Sequence, residues 1–254
     1  MRSGKIPFFE TLLSSARSGA VSNSGAGILN DCLQLARALW PHACVLCGAG
    51  SGRGMLCVPC RQDLPWLPAN RCPACALPIA AGASCGACIA RPPHFDRVDA
   101  PFAYRYPVAA LIHALKYGGR LALARTLGEA LAQAVSGDVD RIVPMPLAPE
   151  RLKERGFNQA LEIARVVAAR TGIPLLRHTV RRVRDTPPQA ALPWKERARN
   201  VRRAFACDSG LSGQRIAVVD DVLTTGATLD ELARVVREAG AVSVSGWVVA
   251  RTLR

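Results

Sequence analysis

Eight cysteines set the tightest limit on how this chain can fold. They fall as Cys44-x2-Cys47-x9-Cys57-x2-Cys60 and again as Cys72-x2-Cys75-x9-Cys85-x2-Cys88, so each recurs 28 positions later. The segment that carries them, from Pro41 to about Arg91, is dominated by Gly, Pro and Cys. Such a composition buries too little apolar surface to hold itself folded, and something other than a hydrophobic core must staple it. A tetrahedral zinc ion takes sulfur ligands at roughly 2.3 Å, and a C-x2-C turn presents two thiolates to one side, so two turns complete one site. Two repeats make two sites, and four filled positions mark structural rather than catalytic zinc. Sequential pairing gives one ion Cys44, Cys47, Cys57 and Cys60, and the other Cys72, Cys75, Cys85 and Cys88. Spacing alone does not distinguish this from an interleaved pairing of the first and third turns. Disulfides and an iron–sulfur cluster are the competing uses of such cysteines.

The compartment bears on that competition. Residues 1–27 are rich in Ser, Gly and Ala, include Arg2, Lys5 and Arg17, and lack the apolar h-region of a secretory signal. They read as a disordered extension or an over-long start of a chain expected in the reducing cytoplasm, where dense cysteine pairs favour metal. No run of about 18 apolar residues occurs, so no transmembrane helix and no membrane insertion are expected. Cys32 and Cys207 stand alone and read as small buried residues, and His42 as a linker residue.

Charge points to anionic partners. The 33 Lys and Arg against 19 Asp and Glu leave a formal +14, which suits phosphate esters, pyrophosphate or nucleic acid. Between Glu150 and Arg203 there are 14 basic residues against 5 acidic ones, so the excess is concentrated there. Eight thiolates and two zinc dications lower the total by four and leave the chain basic.

The organisation is a cysteine module, residues 28–91, with a helical pattern over Ile28 to Trp40, followed by an α/β unit over residues 98–254. In the latter, strands are expected at Val98 to Tyr106, Arg141 to Met145, from Ile173 to Leu176, Arg215 to Asp220 and Val242 to Ala250. Helices are expected at Val108 to Tyr117, Leu121 to Val135, Asn158 to Arg170 and Thr228 to Ala239, and a mobile loop at Arg181 to Asn200. Strands alternating with helices imply a largely parallel sheet covered on both faces, with ligands at the carboxyl ends of its strands.

One of those ends carries a specific signal. The apolar strand Ile216 to Val219 runs into Asp220-Asp221-Val222-Leu223-Thr224-Thr225-Gly226-Ala227-Thr228, then into a helix. A helix N-terminus offers unsatisfied N–H groups and partial positive charge, so a phosphate monoester gains hydrogen bonds there from backbone and Thr hydroxyls. The paired carboxylates lie within reach of ribose hydroxyls, which donate to them. A ribose 5-phosphate is the natural occupant.

The Asp-Asp and Thr-Thr-Gly-x-Thr loop resembles that of the type I phosphoribosyltransferases. The resemblance implies ribose contacts for Asp220 and Asp221 and a 5-phosphate turn at Thr224, Thr225, Gly226, Ala227 and Thr228. A second resemblance is to the ComF family of competence-related proteins. It rests on Val143-Pro144-Met145-Pro146-Leu147 with Arg155-Gly156-Phe157-Asn158-Gln159, on Tyr106 with Leu111 to Tyr117, and on Gln189 with Glu196, Arg197 and Asn200. That family also has an N-terminal cysteine module, so the resemblance spans about residues 40 to 254.

What the resemblance implies is a parallel-sheet phosphoribosyltransferase fold behind a small double zinc ribbon. It implies binding of 5-phosphoribosyl-1-pyrophosphate (PRPP) with Mg²⁺, transfer to a nitrogenous acceptor, and a role in DNA uptake during natural transformation. By position Arg151 and Arg155 become cationic contacts of the pyrophosphate, where a planar guanidinium pairs two phosphate oxygens. Lys116 and His113 are weaker candidates, with a helix-surface and a core reading respectively preferred. The loop from about Arg184 to Asn200 is expected to close over the site. The rival reading is a non-catalytic PRPP or nucleotide sensor, or an adaptor that docks single-stranded DNA or DNA-uptake proteins. Only Trp66 lies among the cysteines as an aromatic for base stacking.

Overall fold

The computed structural model describes residues 43–52, 54–80, 82–184, 201–208 and 210–253. The expected helix at 28–40, most of the expected closing loop, Cys32 and His42 lie outside them.

Within the cysteine segment two short helices, α1 (Val58–Gln62) and α2 (Gly86–Ala90), start directly after Cys57 and Cys85. Beyond it come β1 (Arg97–Asp99), β2 (Phe102–Ala103), α3 (Val108–Gly118), α4 (Ala122–Ala134) and β3 (Arg141–Pro144). Then follow α5 (Pro149–Arg155), α6 (Gln159–Thr171), β4 (Val180–Arg182), β5 (Phe205–Cys207), β6 (Arg215–Leu223), α7 (Ala227–Glu238) and β7 (Ser243–Arg251). The main sheet has the order β1-β7-β6-β3, with β2 also on β7, and every pairing in it is parallel.

The long strands β6 and β7 alternate between two cores, as a sheet buried on both faces requires. Ala217, Val219, Trp247 and Val249 face α3, α4 and α6 through Leu111, Leu127 and Ile163. Ile216, Val218, Val244 and Val248 face α7 through Leu229, Leu232 and Val236. The cysteine module joins both sides: Cys44, Leu56, Cys57 and Leu64 pack with the first set, and Leu67 and Ala76 with the second.

Three elements differ from the sequence expectation. The strand expected over Val98 to Tyr106 is broken in two, because Pro101 has no N–H to give the ladder. The carbonyls there turn to the cysteine module: Ala100 accepts from Arg71 Nη1 at 3.2 Å and Pro101 from Leu67 N at 2.8 Å. The strand expected from Ile173 is a single parallel bridge, Leu175 to Ile142. Pro174 again removes a donor, and only its carbonyl serves, accepting from Ile142 N at 2.9 Å. The loop expected from Arg181 instead begins as β4, antiparallel to β5.

Gly128 on α4 sets the approach of that helix to α6. An added Cβ would sit 2.8 Å from Val166 Cβ and 3.2 Å from the Ile163 carbonyl oxygen. Helix propensity alone would make Gly128→Ala stabilising by up to about 1 kcal/mol, but overpacking costs about 1–3 kcal/mol. The overlap is with a Cβ and a backbone atom, which cannot swing aside, so overpacking wins. Gly128→Ala is expected to lose about 1–2 kcal/mol in denaturant unfolding; a raised midpoint would show that the helices separate freely.

Candidate functional site

The cysteines assemble into two clusters in chain order, not interleaved. The Sγ atoms of Cys44, Cys47, Cys57 and Cys60 all lie within 4.8 Å of one another, as do those of Cys72, Cys75, Cys85 and Cys88. A tetrahedron with 2.3 Å zinc–sulfur bonds needs sulfurs about 3.8 Å apart, and Cys47–Cys57 and Cys75–Cys85 are both 3.6 Å apart. The donor set, its number and its spacing fit structural zinc in both clusters. Burial pushes the Cys44 thiol up, but backbone N–H groups of Cys57, Cys47 and Leu46 outweigh it and hold it at about 6. Cys72 is held at about 7 in the same way by Cys85, Cys75 and Ala74. Both are thereby prepared as thiolate ligands.

At the carboxyl ends of β3, β6 and β7 opens a cleft of about 470 Å³. Its floor is the end of β6. Asp221 is buried and ion-paired with Lys116 of α3, while Asp220 is partly open and accepts from Asp221 N at 2.8 Å. Burial raises the Asp220 carboxyl, the neighbouring Asp221 carboxylate adds to this, and together they outweigh Lys116, so it lies well above the ordinary range. Burial pushes Asp221 up too, but the Lys116 ammonium overcomes it and holds the carboxyl below that range. The two acids are thus unequal: one charged and paired, the other disposed to keep a proton.

The turn from β6 to α7 supplies the next wall. Gly226 is the helix N-cap at φ 85°, a left-handed conformation that glycine takes without strain. Thr224, Gly226 and Thr228 line the cleft. Thr225 and Ala227 instead line a second cavity on the side of the cysteine module, and Thr225 Oγ1 accepts from Ala227 N at 3.1 Å.

Cations close the opposite side. Arg151 and Arg155 lie one turn apart on α5 and both line the cleft. Arg155 donates to Gln159 and rests 5.2 Å from the Tyr117 ring centre. Asn158 caps α6, accepting from Ala160 N at 2.9 Å, and ties that cap to β3 by donating to the Met145 carbonyl at 3.0 Å. All the candidate contacts except Thr225 and Ala227 therefore meet in one cleft.

Two preferred readings are corrected. Lys116 is not a plain surface residue, because its helix faces the β6 acids. His113 is not in the core: it is exposed, lines the cleft and packs at a tilt against Tyr117 with ring centres 4.7 Å apart. Cys207 is half-buried in β5. Arg182 in the cleft and the buried Arg251 behind its turn were not singled out from sequence. Arg251 does leave a trace, a single charge closing the apolar run of β7.

Fold and clusters define a double-zinc-ribbon protein whose cysteine module is packed against a parallel α/β unit. Residues 35–89 match the family described as the double zinc ribbon domain. The chain is 36% identical over 191 residues to the DNA utilization protein YhgH of Salmonella typhimurium, covering 72% of this chain and 84% of that one. It is 32% identical over 209 residues to competence protein F of Haemophilus influenzae, covering 77% and 90%. It is 27% identical to competence protein ComFC of Bacillus subtilis, covering 78% and 84%. The chain belongs to the ComF family. Among solved structures, the glutamine PRPP amidotransferase from B. subtilis complexed with ADP and GMP is 26% identical, with a TM-score of 0.35 over 48% of this chain and 25% of that one. A score that low carries no weight for function.

Proposed function

We propose that the cleft binds PRPP with Mg²⁺ and that the protein transfers the phosphoribosyl group to a nitrogenous acceptor. The observation that supports this is the juxtaposition, around one cleft, of the Asp220–Asp221 pair, the Thr224–Gly226 turn at a helix N-terminus, and the guanidinium pair Arg151 and Arg155. Ribose hydroxyls would donate to the two carboxyl groups, and the 5-phosphate would accept from the α7 amides and the Thr224 and Thr228 hydroxyls. Arg151 and Arg155 would hold the pyrophosphate. Mg²⁺ prefers phosphate oxygens, water and one or two carboxylates, so it would arrive on the donor and neutralise the leaving group.

In transfer, the bond from ribose C1 to the pyrophosphate oxygen breaks, an acceptor nitrogen forms the new bond to C1, and its N–H proton leaves to solvent. The chain's part is to position and to stabilise charge. A role in the handling of incoming DNA, with single-stranded DNA or uptake proteins as partners of the basic surface and the zinc ribbons, is supported by relatives named for DNA utilization and competence. The sensor reading keeps the donor site and drops the transfer.

Titration calorimetry of the zinc-loaded chain with PRPP and Mg²⁺ tests the site: heat saturating at one donor per chain is expected. No heat with Mg²⁺ present would remove both the transferase and the sensor. Pyrophosphate release in a screen of candidate bases separates those two.

A further inference from the structure

Arg251 ends β7 and is only 2% exposed. Its guanidinium lies between the second cysteine cluster and the turn after β6. Nε donates to the carbonyl of Cys75, a member of that cluster, at 2.8 Å. Nη1 donates to Leu223 O at 2.9 Å, to Thr252 O at 3.0 Å and to Thr224 O. One side chain thus holds the backbone of a metal-ligand turn and the backbone that leads into Gly226.

A cavity of about 250 Å³ is lined by Cys75, Cys88, Thr225 and Gly226, and Arg251 forms part of its wall. The guanidinium spans this cavity beside the apolar core that Ala76 and Leu223 share. Its donors sit in a rigid planar fork, so moving one acceptor drags the others or leaves a buried N–H unpaired. The Cys75 carbonyl is held in turn by the knuckle around it, where Cys72 N donates to Leu77 O and Ala76 N to Cys72 O, each at 2.8 Å. That knuckle closes on the metal. The first cluster sits elsewhere: Cys44 and Cys57 pack with Phe102, Val108 and Leu111 on the other face of the sheet.

We infer that Arg251 is a positioning residue that couples zinc in the second cluster to the Thr224–Ala227 turn, so that metal and sugar phosphate bind with positive cooperativity. The coupling to a ligand rests on the donor-site reading above; the mechanical link does not. Because binding coupling is reciprocal, each occupant stabilises the other.

Hydrogen exchange of the full zinc-loaded chain without ligand tests the link. Arg251→Lys keeps the charge but not the planar fork, Cys88→Ser weakens the second cluster, and Cys60→Ser weakens the first. The first two are expected to speed exchange over residues 223–228 by at least about fivefold, with Cys60→Ser leaving those amides at the wild-type rate. Equal loosening by Cys60→Ser, or no change with Arg251→Lys, overturns the inference. A second measurement spares the fold. With a zinc-selective chromogenic chelator, PRPP and Mg²⁺ are expected to slow release of one of the two ions by about fivefold or more and leave the other unchanged. If PRPP binds by calorimetry and neither ion slows, the coupling is wrong. If PRPP does not bind at all, the donor site is what fails, and the exchange result still decides the strut.

Discussion

Chelation of both zinc ions is expected to unfold residues 43–91 while the sheet of β3, β6 and β7 keeps its secondary structure. Outside the cysteines, the buried apolar residues of the described module up to Leu77 are Leu56, Leu64, Pro65, Leu67 and Ala76. Each leucine contributes about 2 kcal/mol by burial, far too little to order a segment of this length when each residue costs about 1–2 kcal/mol of backbone entropy. The shortfall is what metal supplies, on the order of 10 kcal/mol per structural zinc. Elemental analysis is expected to find two zinc ions per chain, and limited proteolysis of the metal-free chain to gain cuts between residues 43 and 91 that the loaded chain lacks. Because the first cluster covers Phe102 and Leu111, the stripped protein should also expose apolar surface and associate. Acid acts in the same direction, since the ligands must be thiolates. A chain with less than one zinc that resists protease as well as the loaded form would refute the staple.

How much could be read from residues alone follows from how local each signal is. The cysteine spacing and the Asp-Asp-x2-Thr-Thr-Gly turn are short-range patterns: the turn opens a helix as expected, and the clusters take the sequential pairing, which spacing had left open against the interleaved one. The helices at Val108 to Tyr117 and Leu121 to Val135 were legible for the same reason, a 3.6-residue apolar period. What escaped is tertiary. Nothing in Val108-Ala-Ala-Leu-Ile-His-Ala-Leu-Lys marks Lys116 as the partner of an acid more than 100 positions later; only the packing of α3 against the end of β6 does. His113 shares that helix face, so it was placed in the core by its apolar neighbours. The break at Pro101 carried a local sign, but its carbonyls are taken by Leu67 and Arg71, contacts that no window of residues 98–106 contains. Arg251 is the extreme case, since the carbonyls of Cys75, Leu223, Thr224 and Thr252 that accept from it come from three separate stretches of chain.

The unequal states of the two acids make the sharpest prediction about the cleft, because they separate folding from binding. The Asp220 carboxyl lies above its ordinary range, first by burial and then by the adjacent Asp221. Such a group favours folding only below its unfolded pKa, and that contribution is lost as pH rises through the raised folded value. Near neutrality Asp220→Asn therefore removes nothing that holds the fold, and its unfolding midpoint is expected to match or exceed wild type. Asp221 is the reverse case. Its carboxyl is held below its ordinary value against burial by Lys116, so it adds stability above its unfolded pKa and loses it as pH falls through the folded one. Asp221→Asn takes from Lys116 its ion-pair partner, leaving only the neighbouring Asp220, and is expected to cost about 3 kcal/mol. For PRPP the ranking changes, since a neutral carboxyl accepting a ribose hydroxyl contributes about 0.5–1.5 kcal/mol and a carboxylate about 1.5–3 kcal/mol. Both variants are expected to weaken PRPP binding in calorimetry, Asp220→Asn by about tenfold and Asp221→Asn by about a hundredfold, although only one is destabilised. A fully stable Asp220→Asn that binds PRPP as tightly as wild type would mean that the β6 acids do not hold the ribose, and the cleft would need another ligand.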